Sequence, residues 1–237
     1  DVYKCQCVSC RNEILIMEFT FYGHAGFKID TGKESLLFDP FLSGNSQAAV
    51  SADKVECDYI LLSHAHGDHF GDADKIASRT GACVIAIPEV ISLFSKNVSN
   101  FQPMNLGGSF KADFGKVKMV QAFHSCGAPG GTPCGFIIQF NNGKTVYYSG
   151  DTALFGDMKL FGELFDIDYA VLPIGDNYTM GPDDALIAAK FLKAKCVIPV
   201  HYSTWPVIEQ NPADFKEEAQ KQGIAVKIVK PGESLEL

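Results

Sequence analysis

From Met17 onward the chain alternates short apolar runs with turns marked by glycine, asparagine and proline, a rhythm that predicts strands interrupted by a few helices. Residues 18–29 and 35–38 predict a hairpin closed by Asp30-Thr31-Gly32-Lys33, with turn chemistry at Gly32. The continuous apolar runs at 59–62 and 82–87 predict short buried strands. Between them, residues 72–79 predict a helix that turns Ile76 and Ala77 inward and ends at Gly81. Residues 88–94 predict a second short helix with proline in its first turn.

The second half repeats the rhythm. Strands are expected at 116–123, 134–140 and 145–149, the last two joined through Asn141-Asn142-Gly143. A helix at 158–165, a buried strand at 169–172, a helix at 182–192 and a strand at 196–200 follow. Asn211 caps an amphipathic helix over 211–222 with Pro212 at its first position, and 226–229 and 234–237 read as edge strands. Hairpins mixed with strand–helix units fit an α+β fold of two sheets packed face to face with helices outside.

At 237 residues, with 46% hydrophobic and 20% charged positions, the chain has the size and makeup to fold as one domain. Its longest apolar runs, 169–174 and 196–200, fall far short of the roughly 20 residues a spanning helix needs, so no membrane span is expected. The first residues lack the apolar stretch and small-residue cleavage site of a secretory signal, which places the protein in the cytoplasm. Eight cysteines scattered through a mid-sized chain read as reduced thiols and not as a disulfide framework. Cys5, Cys7 and Cys10 form a C-x-C-x-x-C cluster that no second cluster completes, whereas a structural zinc site usually takes four ligands. Residues 1–16 are therefore expected to be an extension without a functional part, with Met17 a candidate natural start and the functional domain at 17–237. A net charge of −8 disfavours a nucleic-acid partner, because phosphate binding needs a basic face.

The candidate chemistry follows the apolar run at 59–62. There Ser63-His64-Ala65-His66-Gly67-Asp68-His69-Phe70-Gly71 places three histidines and an aspartate within six residues of a glycine-punctuated loop. A metal needs several donors converging on one point, and such a loop can turn them towards it. Of the six histidines, His124 and His201 also follow predicted strands, and Asp151 follows another through Gly150. Any one of these alone reads as a structural histidine or a helix-capping aspartate. Jointly, donors at the ends of separate strands converge at one rim of a sandwich, where loops carry function on a rigid scaffold.

His64-Ala65-His66-Gly67-Asp68-His69 matches the H-x-H-x-D-H signature of the metallo-β-lactamase superfamily. With His124, Asp151 and His201 following in the same order, the chain from Met17 to Leu237 resembles that superfamily. Gly23-His24-Ala25-Gly26-Phe27, Phe38-Asp39-Pro40 and Leu172-Pro173-Ile174-Gly175-Asp176 are similar to its branch of small hydrolases related to L-ascorbate-6-phosphate lactonase. The resemblance implies a four-layer αββα sandwich and two divalent ions, zinc or manganese. His64, His66 and His124 would hold the first ion, Asp68, His69 and His201 the second, and Asp151 would bridge both. Two cations roughly 3.5–4 Å apart share a hydroxide, lower its pKa and polarise the bond it attacks. That hydroxide would be the nucleophile, with Asp68 also handling a proton. His24 would face either the core or the metal rim, there contacting substrate. Asp39 would orient a metal-bound imidazole, or else merely open the turn at Pro40. Asp176 and Tyr202 would touch substrate or support the ligands.

The expected activity is hydrolysis of a small ester, lactone or phosphoester. A nuclease or phosphodiesterase of the same superfamily is the alternative, weakened by the lack of an obvious basic exosite in this acidic chain. A non-catalytic metal-binding regulatory protein is the alternative from another class; an open bridging position speaks against it, since structural zinc sites are closed. The expected partner is a small-molecule substrate, with no nucleic acid and no membrane, and homo-oligomerisation stays open.

Overall fold

The computed structural model describes residues 16–237, so the cysteine cluster at 5–10 and the expectation for residues 1–15 lie outside the described residues. The run at 18–29 is not one strand. It divides into β1 (Glu18–Gly23) and β2 (Gly26–Asp30), which pair antiparallel with a register shift between Phe21 and Gly23. The cause is local: Gly23 and His24 both take left-handed backbone angles, with φ of 102° and 57°, so the chain reverses within Gly23-His24-Ala25-Gly26. His24 is thereby lifted to the tip of a turn.

In chain order there follow β3 (Ser35–Phe38), β4 (Tyr59–Leu61), α1 (Gly67–Phe70), α2 (Ala73–Thr80), β5 (Cys83–Ala86), α3 (Pro88–Ile91) and β6 (Phe101–Pro103). The second half holds β7 (Ser109–Ala112), β8 (Gly115–Gln121), β9 (Cys134–Phe140), β10 (Thr145–Tyr148), α4 (Met158–Leu164), β11 (Tyr169–Pro173), α5 (Pro182–Leu192), β12 (Cys196–Val200), α6 (Pro212–Lys221) and β13 (Ser234–Glu236). Among the described residues these strands form one sheet in the order β13-β1-β2-β3-β4-β5-β6 and another in the order β12-β11-β10-β9-β8-β7. The short helix α1 lies inside the histidine-rich segment expected to be a loop. The expected strand at 226–229 is reduced to a single bridge between Val197 and Val226.

The central strands are apolar on both faces because successive side chains feed different cores. Tyr147, Ile137, Val120 and Leu172 pack with Met158, Phe161, Ala185 and Phe215 of α4, α5 and α6. Their neighbours Tyr148, Phe136, Ile138 and Val171 instead meet Phe19, Phe27 and Phe38 of the first sheet. Phe19 stacks on Phe27 and Phe27 on Phe38, with centroids 4.8 and 4.4 Å apart. Ile76, Ala77 and Val90 of α2 and α3 complete the apolar cluster of that first sheet. The result is the α+β sandwich of four layers, αββα. Cys57, Cys83, Cys126, Cys134 and Cys196 are free thiols.

Strand direction positions the site. β3, β4, β5 and β6 run parallel, and β1 shares their direction through two antiparallel steps. In the second sheet β10, β11 and β12 run parallel, and β8 joins their direction through β9. The residues that follow β1, β3, β4, β8, β10 and β12 therefore gather at strand C-terminal ends: His24, Asp39, the 63–71 segment, His124, Asp151 and His201.

Burial in these cores has a consequence at alkaline pH. Desolvation pushes the Tyr22 hydroxyl and the Cys57 thiol each up to about 12, from ordinary values of 10.0 and 9.0. The folded state therefore holds both protons more tightly than the unfolded chain does. Their stabilising effect is complete below about pH 9 and is lost as pH rises through about 12. Urea midpoints are expected to fall across that window, in step with tyrosinate absorbance. A midpoint that stays level across it would contradict the assignment.

Candidate metal centre

After β4 the backbone turns at Ser63 and His64 and then coils into α1, whose first turn hangs on the His66 carbonyl through the amides of His69 and Phe70 at 3.0 and 2.8 Å. Two glycines fix this segment. A Cβ on Gly71, whose φ is 42°, would sit 2.4 Å from the Pro40 carbonyl oxygen, so the end of α1 lies directly on the segment after Asp39. A Cβ on Gly127 would sit 2.8 Å from Cδ2 of His66, and the Ala65 amide donates to the Cys126 carbonyl at 2.7 Å. The glycine-rich stretch at 125–132 thus presses the His66 loop into place.

Three donor groups result among the described residues; Asp39 with His64 and His69 is one, and the other two include residues that line a cavity. The ligating atoms of His64, His66 and His124 lie within 4.8 Å of one another, as do those of His24, Asp68, His69 and His201. Asp151 stands between these two groups: its Oδ2 is 3.2 Å from His69 Nε2, 3.1 Å from His201 Nε2 and 3.7 Å from His124 Nε2. All seven donors named from the sequence are brought together, and His24 joins them.

One buried carboxylate sets the ring protons on both sides. Asp39, with no exposed surface, accepts on Oδ2 from the Ser63 hydroxyl at 2.5 Å, the Tyr148 hydroxyl at 2.6 Å and the His69 Nδ1–H at 2.7 Å. Its Oδ1 accepts from the Ser63 amide at 2.8 Å. Because the Ser63 proton is committed to Asp39, the Ser63 oxygen accepts from His64 Nδ1–H at 2.9 Å. In their neutral forms His64 and His69 therefore both present a bare Nε2 to the centre.

The residues fit divalent ions. His69 Nε2 and both ring nitrogens of His201 are buried without a hydrogen-bond partner, and the two Nε2 atoms face the Asp151 carboxylate. Unpartnered ring nitrogens crowded against a carboxylate in a dry pocket are what a cation resolves. Without an ion the same crowding is met by shifts in proton affinity. Burial lowers the His64 and His124 rings, most strongly His64. Burial also works to lower His69, but the Asp151 and Asp39 carboxylates on either side hold it well above its ordinary value. Burial works to raise Asp151, yet the His201 and His69 rings hold it well below the usual carboxylate range. Asp68 also lies below that range: burial raises it, and its contact with the His24 ring and the nearby His69 ring outweigh burial.

The centre opens into a cavity of about 710 Å³, lined on the polar side by His66, Asp68, His124, Asp151 and Ser125 and walled by Phe41, Tyr178, Trp205 and Val207. Asp176 and Tyr202 are not among its lining residues. Asp176 sits at φ 61° in an exposed turn, its amide bonded to the Met180 carbonyl and its carboxylate to the Asn177 amide. Tyr202, one residue beyond His201, turns the other way and packs into the cluster under α4–α6. Sequence reasoning missed Ser63 and Tyr148 as partners of Asp39, and Thr204 and Gln47 as partners of His24. The only advance hint was that Ser63 directly precedes the histidine motif.

Comparison with known proteins identifies relatives of this chain. Residues 34–202 match the family model described as a β-lactamase superfamily domain. A UPF0173 metal-dependent hydrolase of Pelotomaculum thermopropionicum is 48% identical over 230 residues, covering 93% of this chain and 100% of that protein. One of Anoxybacillus flavithermus is 47% identical over 229 residues with the same coverage. Among solved structures, the metallo hydrolase Igni18 of Ignicoccus hospitalis superposes with a TM-score of 0.87 at 34% identity, over 94% of this chain and 98% of its own. The metallo-β-lactamase fold protein YhfI of Bacillus subtilis, at 20% identity and a TM-score of 0.74 over 94% of this chain and 100% of its own, shares the fold. Resemblance over nearly the whole described chain, around a site built from the signature histidines, leads to one conclusion: the chain belongs to the metallo-β-lactamase superfamily and, within it, to the UPF0173 metal-dependent hydrolases.

Proposed function

We propose that this chain is a two-ion hydrolase acting on a small ester, lactone or phosphoester. The observation that carries the reading is the placing of Asp151 between two donor groups, with the buried, unpartnered Nε2 atoms of His69 and His201 turned towards it at the floor of an open cavity. Zinc or manganese suits the His/Asp set. Such ions would supply an activated water and Lewis-acid polarisation of the bond to be cut. The chain's own residues do the rest. Asp39, through Ser63 and His69, holds the imidazoles in one tautomer. Asp68, a quarter exposed and facing the cavity, is placed to relay a proton between substrate and solvent. Phe41, Tyr178, Trp205 and Val207 give a non-reacting part of the substrate an apolar wall.

The test is metal analysis followed by assay of the purified protein against a panel of esters, lactones and phosphodiesters. Close to two ions per chain and hydrolysis that is lost on chelation and restored by zinc or manganese are expected. A stoichiometry well below one after metal supplementation would sink the reading.

A further inference from the structure

His24 has no exposed surface, and its Nδ1 lies 2.8 Å from the Thr204 hydroxyl while its Nε2 lies 3.0 Å from Asp68 Oδ2. Taken alone, the second contact looks like a donor holding a carboxylate. The neighbours of Thr204 argue otherwise. Gln47 directs its Nε2 to the Tyr202 carbonyl at 3.4 Å, which leaves its Oε1 facing inward. That oxygen accepts from the His24 amide and from the Thr204 hydroxyl, each at 3.3 Å. A threonine hydroxyl carries one proton. When that proton goes to Gln47, the Thr204 oxygen accepts from His24 and the ring proton sits on Nδ1.

A neutral His24 then presents the lone pair of Nε2 to Asp68 Oδ2. Two acceptors at 3.0 Å repel unless a positive charge lies between them or within reach of both. A second ring proton would meet that need only by placing a full charge on a ring without solvent access, 4.0 Å by ring centroid from the His201 ring. A divalent cation meets it with the donors already present, since His24, Asp68, His69 and His201 offer ligating atoms within 4.8 Å of one another.

We propose that His24 is a direct ligand of the second ion through Nε2, set in its tautomer by a Gln47–Thr204 relay. The inference rests on the two-ion reading above. It gives the second ion an imidazole from the turn between β1 and β2, in the first sheet, opposite His201 at the end of β12 in the second sheet. That ion ties the two sheets together at the rim.

The test uses the full chain loaded with Co²⁺, which shifts the exchangeable ring N–H resonances of every ligating imidazole far outside the ordinary proton NMR range. His24→Asn is the informative variant: asparagine tolerates the left-handed backbone at this position, and its amide reaches Thr204 as Nδ1 does, but nothing replaces Nε2. It is expected to lose one shifted N–H resonance and to bind the second Co²⁺ at least about ten-fold more weakly, with the first ion unaffected. His24→Gln, which can still donate to Asp68, should be as weak. A wild-type chain that takes two ions while His24→Asn keeps both affinities and every shifted resonance would overturn the inference alone. Restoration of native affinity by His24→Gln would assign His24 as a mere donor, again overturning it. A wild-type chain that takes up only one ion would overturn the two-ion reading and the inference together.

Discussion

Asp151→Ala is expected to lower kcat/KM by about 10³-fold, equivalent to the several kcal/mol of transition-state stabilisation that ions in such a site provide. The geometry explains the size. Asp151 reaches three imidazoles on both sides of the centre from one oxygen, so its loss uncouples the two donor groups. Metal content should fall to one ion or fewer per chain. Removing the carboxylate in the metal-free protein discards an attraction to His69 and His201 that outweighs the cost of keeping a charge with 3% exposure, and leaves those buried rings without their counter-charge. Metal-free stability should therefore fall. The rise in Tm that ions confer on the wild-type chain should largely vanish, because that rise depends on preferential binding to the folded state. A variant that retains two ions and turns over within ten-fold of wild type would remove Asp151 from the centre.

How much of this could be read in the sequence divides along a physical line. The ligands within 64–69 were legible because their spacing is local, and His124, Asp151 and His201 because each follows an apolar run that ends at a loop. The partners of Asp39 were not: Ser63 and Tyr148 lie 24 and 109 residues away, and only the packing of β3 against β4 and of the two sheets brings them to one oxygen. The β1–β2 reversal was hidden because Phe21, Tyr22, Ala25 and Phe27 are all apolar, so hydrophobicity alone runs straight through the turn. Gly23 and Gly26 flanking His24 were the available clue. β6 and β7 escaped for the opposite reason: they are short edge strands with half-exposed, mixed residues and no alternation strong enough to stand out. Tyr202 adjoins His201 yet packs away from the cavity, because consecutive residues beyond a strand end need not share a direction.

Asp39→Asn is expected to weaken binding of both ions by about 10- to 100-fold, although Asp39 is not among the donors assigned to either ion. Oδ2 takes three donors and Oδ1 a fourth, so a carboxylate, acceptor on both sides, is the group the site demands. An asparagine must turn its NH₂ towards one set. Facing Oδ2's partners it opposes three donors; facing Oδ1's partner it opposes the Ser63 amide and leaves a neutral oxygen to hold His69. Either arrangement weakens the grip on His69 directly and on His64 through Ser63, so both ions lose a pre-set imidazole. Because Asp39 has no exposed surface, at least one donor is also left unsatisfied, at a cost of about 1–3 kcal/mol in folding stability. Competition with a chromophoric chelator reads the first effect and urea unfolding of the metal-free protein the second. Tyr148→Phe separates them: it deletes one of the donors to Asp39 but leaves the Ser63 and His69 contacts, so it should cost about 1 kcal/mol of stability and leave metal affinity near the wild-type value. Equal losses of affinity in the two variants, or native affinity in Asp39→Asn, would refute the tautomer argument.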